Sequence, residues 1–137
     1  MKYNKWAFNR FPPDGYDGEF DWDFLQNCWG GRITPMDFDC VVEKGGEFLV
    51  FETKGKNGHI ERGQEITFQA IIKDPKWTLM VVYGKLPETV EEIFIYHNNR
   101  LAKHIDPATS ADLIEECAKW AARRSSRYNV GGIKIGR

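Results

Sequence analysis

The segment PMDFDCVVEKGGEFLVFETKGKNGHIERGQ, residues 35–64, limits what the rest of the chain can become. Two alternating runs, 38–42 and 47–53, flank Lys44-Gly45-Gly46, the pattern of a β-hairpin closed by a glycine turn. Side chains two apart on a strand share a face. Asp37, Asp39 and Val41 therefore point one way on the first strand, and Phe48, Val50, Glu52 and Lys54 on the second. When those faces coincide, Asp39, Glu52 and Lys54 meet at one end of the hairpin, above a floor of Val41, Phe48 and Val50 expected to be buried. Two carboxylates and an ammonium crowded there cost stability unless a cation or a substrate uses them. The hairpin is expected to carry a site.

The flanking sequence supplies the remaining elements. Residues 1–13 are aromatic and irregular, as for an arm packed on the core. Residues 19–29 carry Phe20, Phe24 and Leu25 at helical spacing and stop at Gly30-Gly31, predicting a short helix. After the polar loop 55–58, Gln64, Phe68 and Ile71 recur at i, i+4 and i+7, predicting a helix over 61–73 with Gln64 facing the sheet. Asp74-Pro75 ends it, and 77–83 is an apolar, β-rich run typical of an interior strand. Strand, helix, strand in that order implies a parallel crossover. A second hairpin, 93–96 with 101–105, turns at Asn98-Asn99. Thr109-Ser110-Ala111-Asp112 is a capping box opening a helix with Leu113, Ile114, Cys117, Trp120 and Ala121 on one stripe. Gly131-Gly132 begins a flexible end. The expected class is α/β: a small mixed sheet with helices around it.

At 137 residues, 42% hydrophobic and 28% charged, the chain suits one soluble globular domain rather than a disordered one. Three widely spaced cysteines without a CxxC pair point away from a disulfide framework or a structural zinc site. MKYNKWAFNR lacks the apolar stretch of a signal peptide, and no run reaches a transmembrane length; a cytoplasmic protein without a membrane partner is expected. The net charge of −1 conceals an asymmetry. Acids crowd 14–23, whereas Lys119, Arg123, Arg124, Arg127, Lys134 and Arg137 follow the last acid, Glu116. A basic helix and tail over 107–137 suits a polyanion such as nucleic acid, and equally a solvated helix end.

Thirteen positions separate Asp39 from Glu52, and Glu52-Thr53-Lys54 completes a D…ExK pattern. This resembles the PD-(D/E)xK nuclease superfamily, whose core is a β-hairpin bearing Asp and Glu-x-Lys. ETKGKNGHIERGQ, with Gln64 at a helix start ten positions after Lys54, is similar to the VRR-NUC branch and to small phage and Holliday-junction-resolving nucleases. The resemblance covers about residues 32–84 and implies a restriction-endonuclease-like core. It further implies a metal-dependent DNA endonuclease of phage or prokaryotic type, acting on branched or flapped DNA, with Mg²⁺ as cofactor, Mn²⁺ as substitute, and pairing into a homodimer. Asp39 and Glu52 would then anchor the ion, with the Thr53 carbonyl as third ligand and Glu19 as a further candidate carboxylate. Asp37, at Pro-x-Asp on the same face, is the alternative to Asp39 as principal ligand or a second carboxylate beside it, and the 13-residue spacing favours Asp39. A hard cation of this kind takes carboxylate oxygens and keeps waters in its shell. Lys54 would orient or deprotonate the attacking water and steady developing charge. Gln64 would hold a water or a phosphate oxygen.

Simpler readings stand beside these. Asp39, Glu52 and Lys54 could be a surface ion pair of small value, which the apolar neighbours disfavour. Lys56, His59, Arg62, Arg123, Arg124 and Arg127 could hold a DNA backbone or be solvated charges. His97 and His104, flanking the second hairpin, read as structural, and Trp22, Trp29, Trp77 and Trp120 as core. A second function class is a nuclease-fold protein that no longer cuts and binds nucleic acid or a protein partner, as a recombination accessory or a phage-encoded inhibitor would.

Overall fold

A computed structural model describes residues 21–33, 35–85, 89–126 and 132–137. The chain divides into two compact units, Met1–Met36 and Asp37–Arg137. In the first, the described residues contain one helical piece, the 3-10 turn Asp23–Leu25. The helix expected over 19–29 is therefore not formed in its described part; residues 19 and 20 fall outside it, as does the arm 1–13. Of the predicted stripe, Phe24 is exposed and Leu25 half-buried, and a short helix gains most of its stability from packing an apolar face.

The second unit is a mixed sheet between two helices. In chain order it runs β1 (Cys40–Lys44), β2 (Glu47–Gly55), α1 (Arg62–Ile72), β3 (Trp77–Lys85), β4 (Thr89–His97), β5 (Arg100–Ile105) and α2 (Ser110–Ala122). The five strands lie side by side in sequence order. β1 and β2 form the expected antiparallel hairpin, with Val41 opposite Val50 and Cys40 opposite Phe51. Its turn is Gly45-Gly46, both at positive φ, the twist that two-residue hairpin loops require. β2 and β3 are parallel, with α1 as the crossover. β4 and β5 return antiparallel around Asn98 and Asn99, also at positive φ.

The registers sort the side chains into two faces. Val50, Glu52 and Lys54 of β2 align with Leu79, Val81 and Tyr83 of β3, on the face where Phe68 and Ile72 of α1 lie buried against the sheet. On the other face Leu49, Met80, Ile93 and Ile95 pack with Trp120 of α2 and with Ala108. β3 lies inside the sheet, and every residue from Thr78 to Val82 is buried. Two ends are tied across layers: the Lys44 ammonium donates to the Ala121 carbonyl at 2.9 Å, and Asn99 N–H to Ile72 at 2.8 Å. α2 opens on the expected capping box, Thr109 with Asp112.

Three burial expectations change. Val41 is 45% exposed because β1 is an edge strand, so the floor under the hairpin is Val50 with half-buried Phe48. Ile114 points outward at 71% exposed; Leu113, Cys117 and Trp120 carry the apolar stripe. Trp120 is core, Trp77 is half-buried against Phe48 at 4.6 Å between centroids, and Trp22 and Trp29 are not core. Among the described residues no helix is long and apolar enough to cross a membrane.

Two outcomes follow from the packing. A Cβ built on Gly84 would sit 1.8 Å from the Thr89 carbonyl oxygen, so Gly84→Ala forces β3 and β4 apart. Urea unfolding of that variant should show a loss of roughly 1–3 kcal/mol, the usual cost of overpacking. The Cys40 thiol is pushed up by burial and then by the Asp39 carboxylate, and the Cys117 thiol by burial, Cys40 and Glu116. Thiolate is the reactive form, so iodoacetamide at neutral pH, followed by peptide mass spectrometry, should label exposed Cys28 first.

Candidate active site

Three side chains converge where β2 meets the start of α1. The Glu52 carboxylate lies at the sheet face beneath the helix and is 4% exposed. Its Oε1 accepts from Gln64 Nε2 at 3.1 Å and lies 3.3 Å from the Lys54 ammonium. Lys54 Nζ in turn donates to Gln64 Oε1 at 3.0 Å. The three groups thus close a ring of contacts. Gln64 reaches it because α1 begins there: the same Oε1 accepts from the backbone N–H of Glu61, the N-cap, at 3.2 Å. One amide therefore sets the helix start and ties it to two residues of β2.

Glu52 Oε2 is buried and has no hydrogen-bond partner among the described residues. A buried carboxylate oxygen left this way is costly, by about 1–3 kcal/mol or more for a charged group. An oxygen-seeking cation meets that demand, so the residues fit a hard divalent ion. Asp39 stands one step beyond the last hairpin pair, Cys40 with Phe51, which brings it opposite Glu52 on the neighbouring strand. Its Oδ2 accepts from Thr53 N–H at 2.7 Å and Thr53 Oγ1 at 3.0 Å, clamping the mouth of the hairpin, and Oδ1 makes no hydrogen bond among the described residues.

The other sequence candidates fall in different places. Asp37 is exposed and joins no three-donor cluster with Asp39 and Glu52; Glu19 and Arg127 lie outside the described residues. Lys56, His59 and Arg62 are exposed in the loop and first helical turn beside Lys54 and Gln64, with His59 3.4 Å from Glu61 and Arg62 2.5 Å from Glu65. Arg123 and Arg124 are on the opposite face of the sheet. The Arg124 side chain is 9% exposed there, held by Glu47 at 3.4 Å and lying over Trp120, so it serves the fold rather than this site.

The sequence reading missed Tyr83. The parallel register sets it beside Lys54, and burial, then Glu92, push its hydroxyl up, while Lys54 pulls the other way. No local pattern announces a parallel register, which depends on the length of the crossover. It also missed that His104, stacked on Phe94 at 4.2 Å, lies with Glu92 and Asp106 so that their ligand atoms are within 4.8 Å of one another. The His97 ring lies 3.1 Å from Thr78 Oγ1 and 3.3 Å from the Trp77 carbonyl.

Compared with known proteins, the chain matches no protein-family model, no curated sequence and no solved structure.

The ring of contacts makes a stability statement. Lys54→Met strands the Glu52 carboxylate in the interior and should cost on the order of 2–3 kcal/mol in urea unfolding. Adding Glu52→Gln removes the stranded charge and should recover most of that loss, a non-additivity that a double-mutant cycle reads directly.

Proposed function

We propose that this chain is a divalent-metal-dependent DNA endonuclease with a restriction-endonuclease-like core of the PD-(D/E)xK kind, similar to the VRR-NUC and junction-resolving enzymes. The observation that carries the reading is Glu52. It is a sheet carboxylate buried to 4% exposure, gripped on one oxygen by Lys54 and Gln64 and without a partner on the other among the described residues. A charge that serves only the fold is normally satisfied on both oxygens. Supporting it are the antiparallel hairpin bearing Asp39 and Glu52-x-Lys54, the α1 crossover and the parallel β3.

The chemistry assigns a task to each group. Held by Asp39, Glu52 and the Thr53 carbonyl, Mg²⁺ or Mn²⁺ would neutralise phosphoryl charge and lower the pKa of a bound water. Lys54, kept beside Glu52 by Gln64, orients the attacking water and stabilises negative charge that grows as the phosphodiester opens. Gln64 holds the lysine in place, and its position at the helix start sets it where backbone N–H groups favour an anion. Lys56, His59 and Arg62 lie on the same side and suit the DNA backbone.

A second reading rests on Asp39. Its Oδ2 already takes two hydrogen bonds from Thr53, which suits a nuclease-fold protein that binds DNA or a protein partner without cutting.

The deciding experiment incubates the protein with linear, single-stranded, flapped and four-way DNA, with and without Mn²⁺ or Mg²⁺. Metal-dependent cleavage is expected, reduced by roughly a hundredfold or more in Glu52→Ala and in Lys54→Ala. Cutting that is unchanged in both variants overturns the assignment. Salt-sensitive DNA binding without cleavage selects the second reading.

A further inference from the structure

On the sheet face away from Glu52, a cavity of about 260 Å³ opens between the C-terminal half of α2 and strands β3, β4 and β5. Its floor is apolar: Met80, Ile95 and the Trp120 ring. Its walls are rich in donors. Lys119, Arg123 and Arg124 contribute three cations against the two carboxylates Glu47 and Glu116. Glu116 is already engaged by Lys103 as well as by Lys119, and Glu47 by Arg124. Lys119 also pairs with Glu115 at 3.3 Å, so the surplus positive charge of the lining is that of Arg123, which makes no ion pair among the described residues. Two donors of lining residues, Trp120 Nε1 and Arg124 Nε, are buried and have no acceptor among the described residues. Trp120 is 6% exposed and the Arg124 side chain 9%. They adjoin each other, since the guanidinium carbon lies 4.6 Å from the Trp120 ring centroid.

Buried N–H groups are matched with acceptors as a rule, and a concave apolar pocket with a few convergent polar groups is the usual form of a small-ligand site. The surplus charge selects the sign of the ligand. We infer that this cavity binds a small organic anion, a single carboxylate or phosphate on a flat apolar body of about ten non-hydrogen atoms. The body lies over Met80, Ile95 and Trp120; the anionic group faces Arg123 and the orphan N–H groups of Arg124 and Trp120. The site is separate from the Glu52–Lys54–Gln64 cluster and does not rest on a nuclease assignment.

The test follows the Trp120 indole and Arg124 Nε–H resonances in ¹H–¹⁵N spectra of the full chain. Phenyl phosphate and benzoate serve as probes, with inorganic phosphate and benzyl alcohol as controls for the apolar body and the charge. Saturable shifts of both resonances at millimolar probe are expected, and whichever probe binds more tightly tells phosphate from carboxylate. Arg123→Ala should weaken binding by about tenfold, the worth of one charged hydrogen bond. Ala102→Leu, which fills the cavity from exposed β5, should abolish it while the spectrum stays that of a folded chain. No shift of either resonance overturns the inference. So does equal binding of benzyl alcohol or of inorganic phosphate, or probe binding that survives Ala102→Leu.

Discussion

Burying a carboxylate inside a sheet is the constraint around which the rest of this molecule is arranged. Glu52 sits on β2, which has a strand on either side and a helix above it. It is only 4% exposed, so its charge must be met largely by the protein or by something the protein binds. Lys54, two residues along the same face, supplies the opposite charge, and Gln64 supplies an amide that faces both. Neither partner would arrive without the fold: Lys54 depends on the strand period, and Gln64 on α1 starting where it does. The strand and the helix start share one set of contacts here.

Much of this was legible in the sequence because it is local. The hairpin, its glycine turn, α1, the interior strand β3, the asparagine turn and the capped α2 all follow from periods of two or 3.6 residues and from turn chemistry. Asp39, Glu52 and Lys54 could be picked out for the same reason, as the strand period sets them on one face, whereas Gln64 was singled out by the family resemblance. What stayed illegible depended on neighbours far along the chain. The exposure of Val41 follows from β1 lying at the sheet edge, and the burial of Arg124 from Glu47 sitting across from the end of α2. Asp39 turning to Thr53 is a matter of how the ladder ends. The stripe over 19–29 looked helical, and a pattern alone does not say whether anything will cover it.

The two faces of the sheet divide the charges differently. Beneath α1, one carboxylate, one lysine and one amide are matched almost completely, with a single oxygen left over. Beneath α2, the excess is of cations and N–H donors. One sheet thus offers a demand for positive charge on one side and for negative charge on the other, and β3 contributes residues to both.

Gln64 has a further consequence through its single carbonyl oxygen. That atom takes hydrogen bonds from the Lys54 ammonium and from the Glu61 backbone, so strand end and helix start are riveted to one point. The five residues between Gly55 and Glu61 span two anchored ends, and Gly58 N–H turns back onto the Gly55 carbonyl at 2.8 Å. A change of charge in that span leaves the two ends held by the same oxygen.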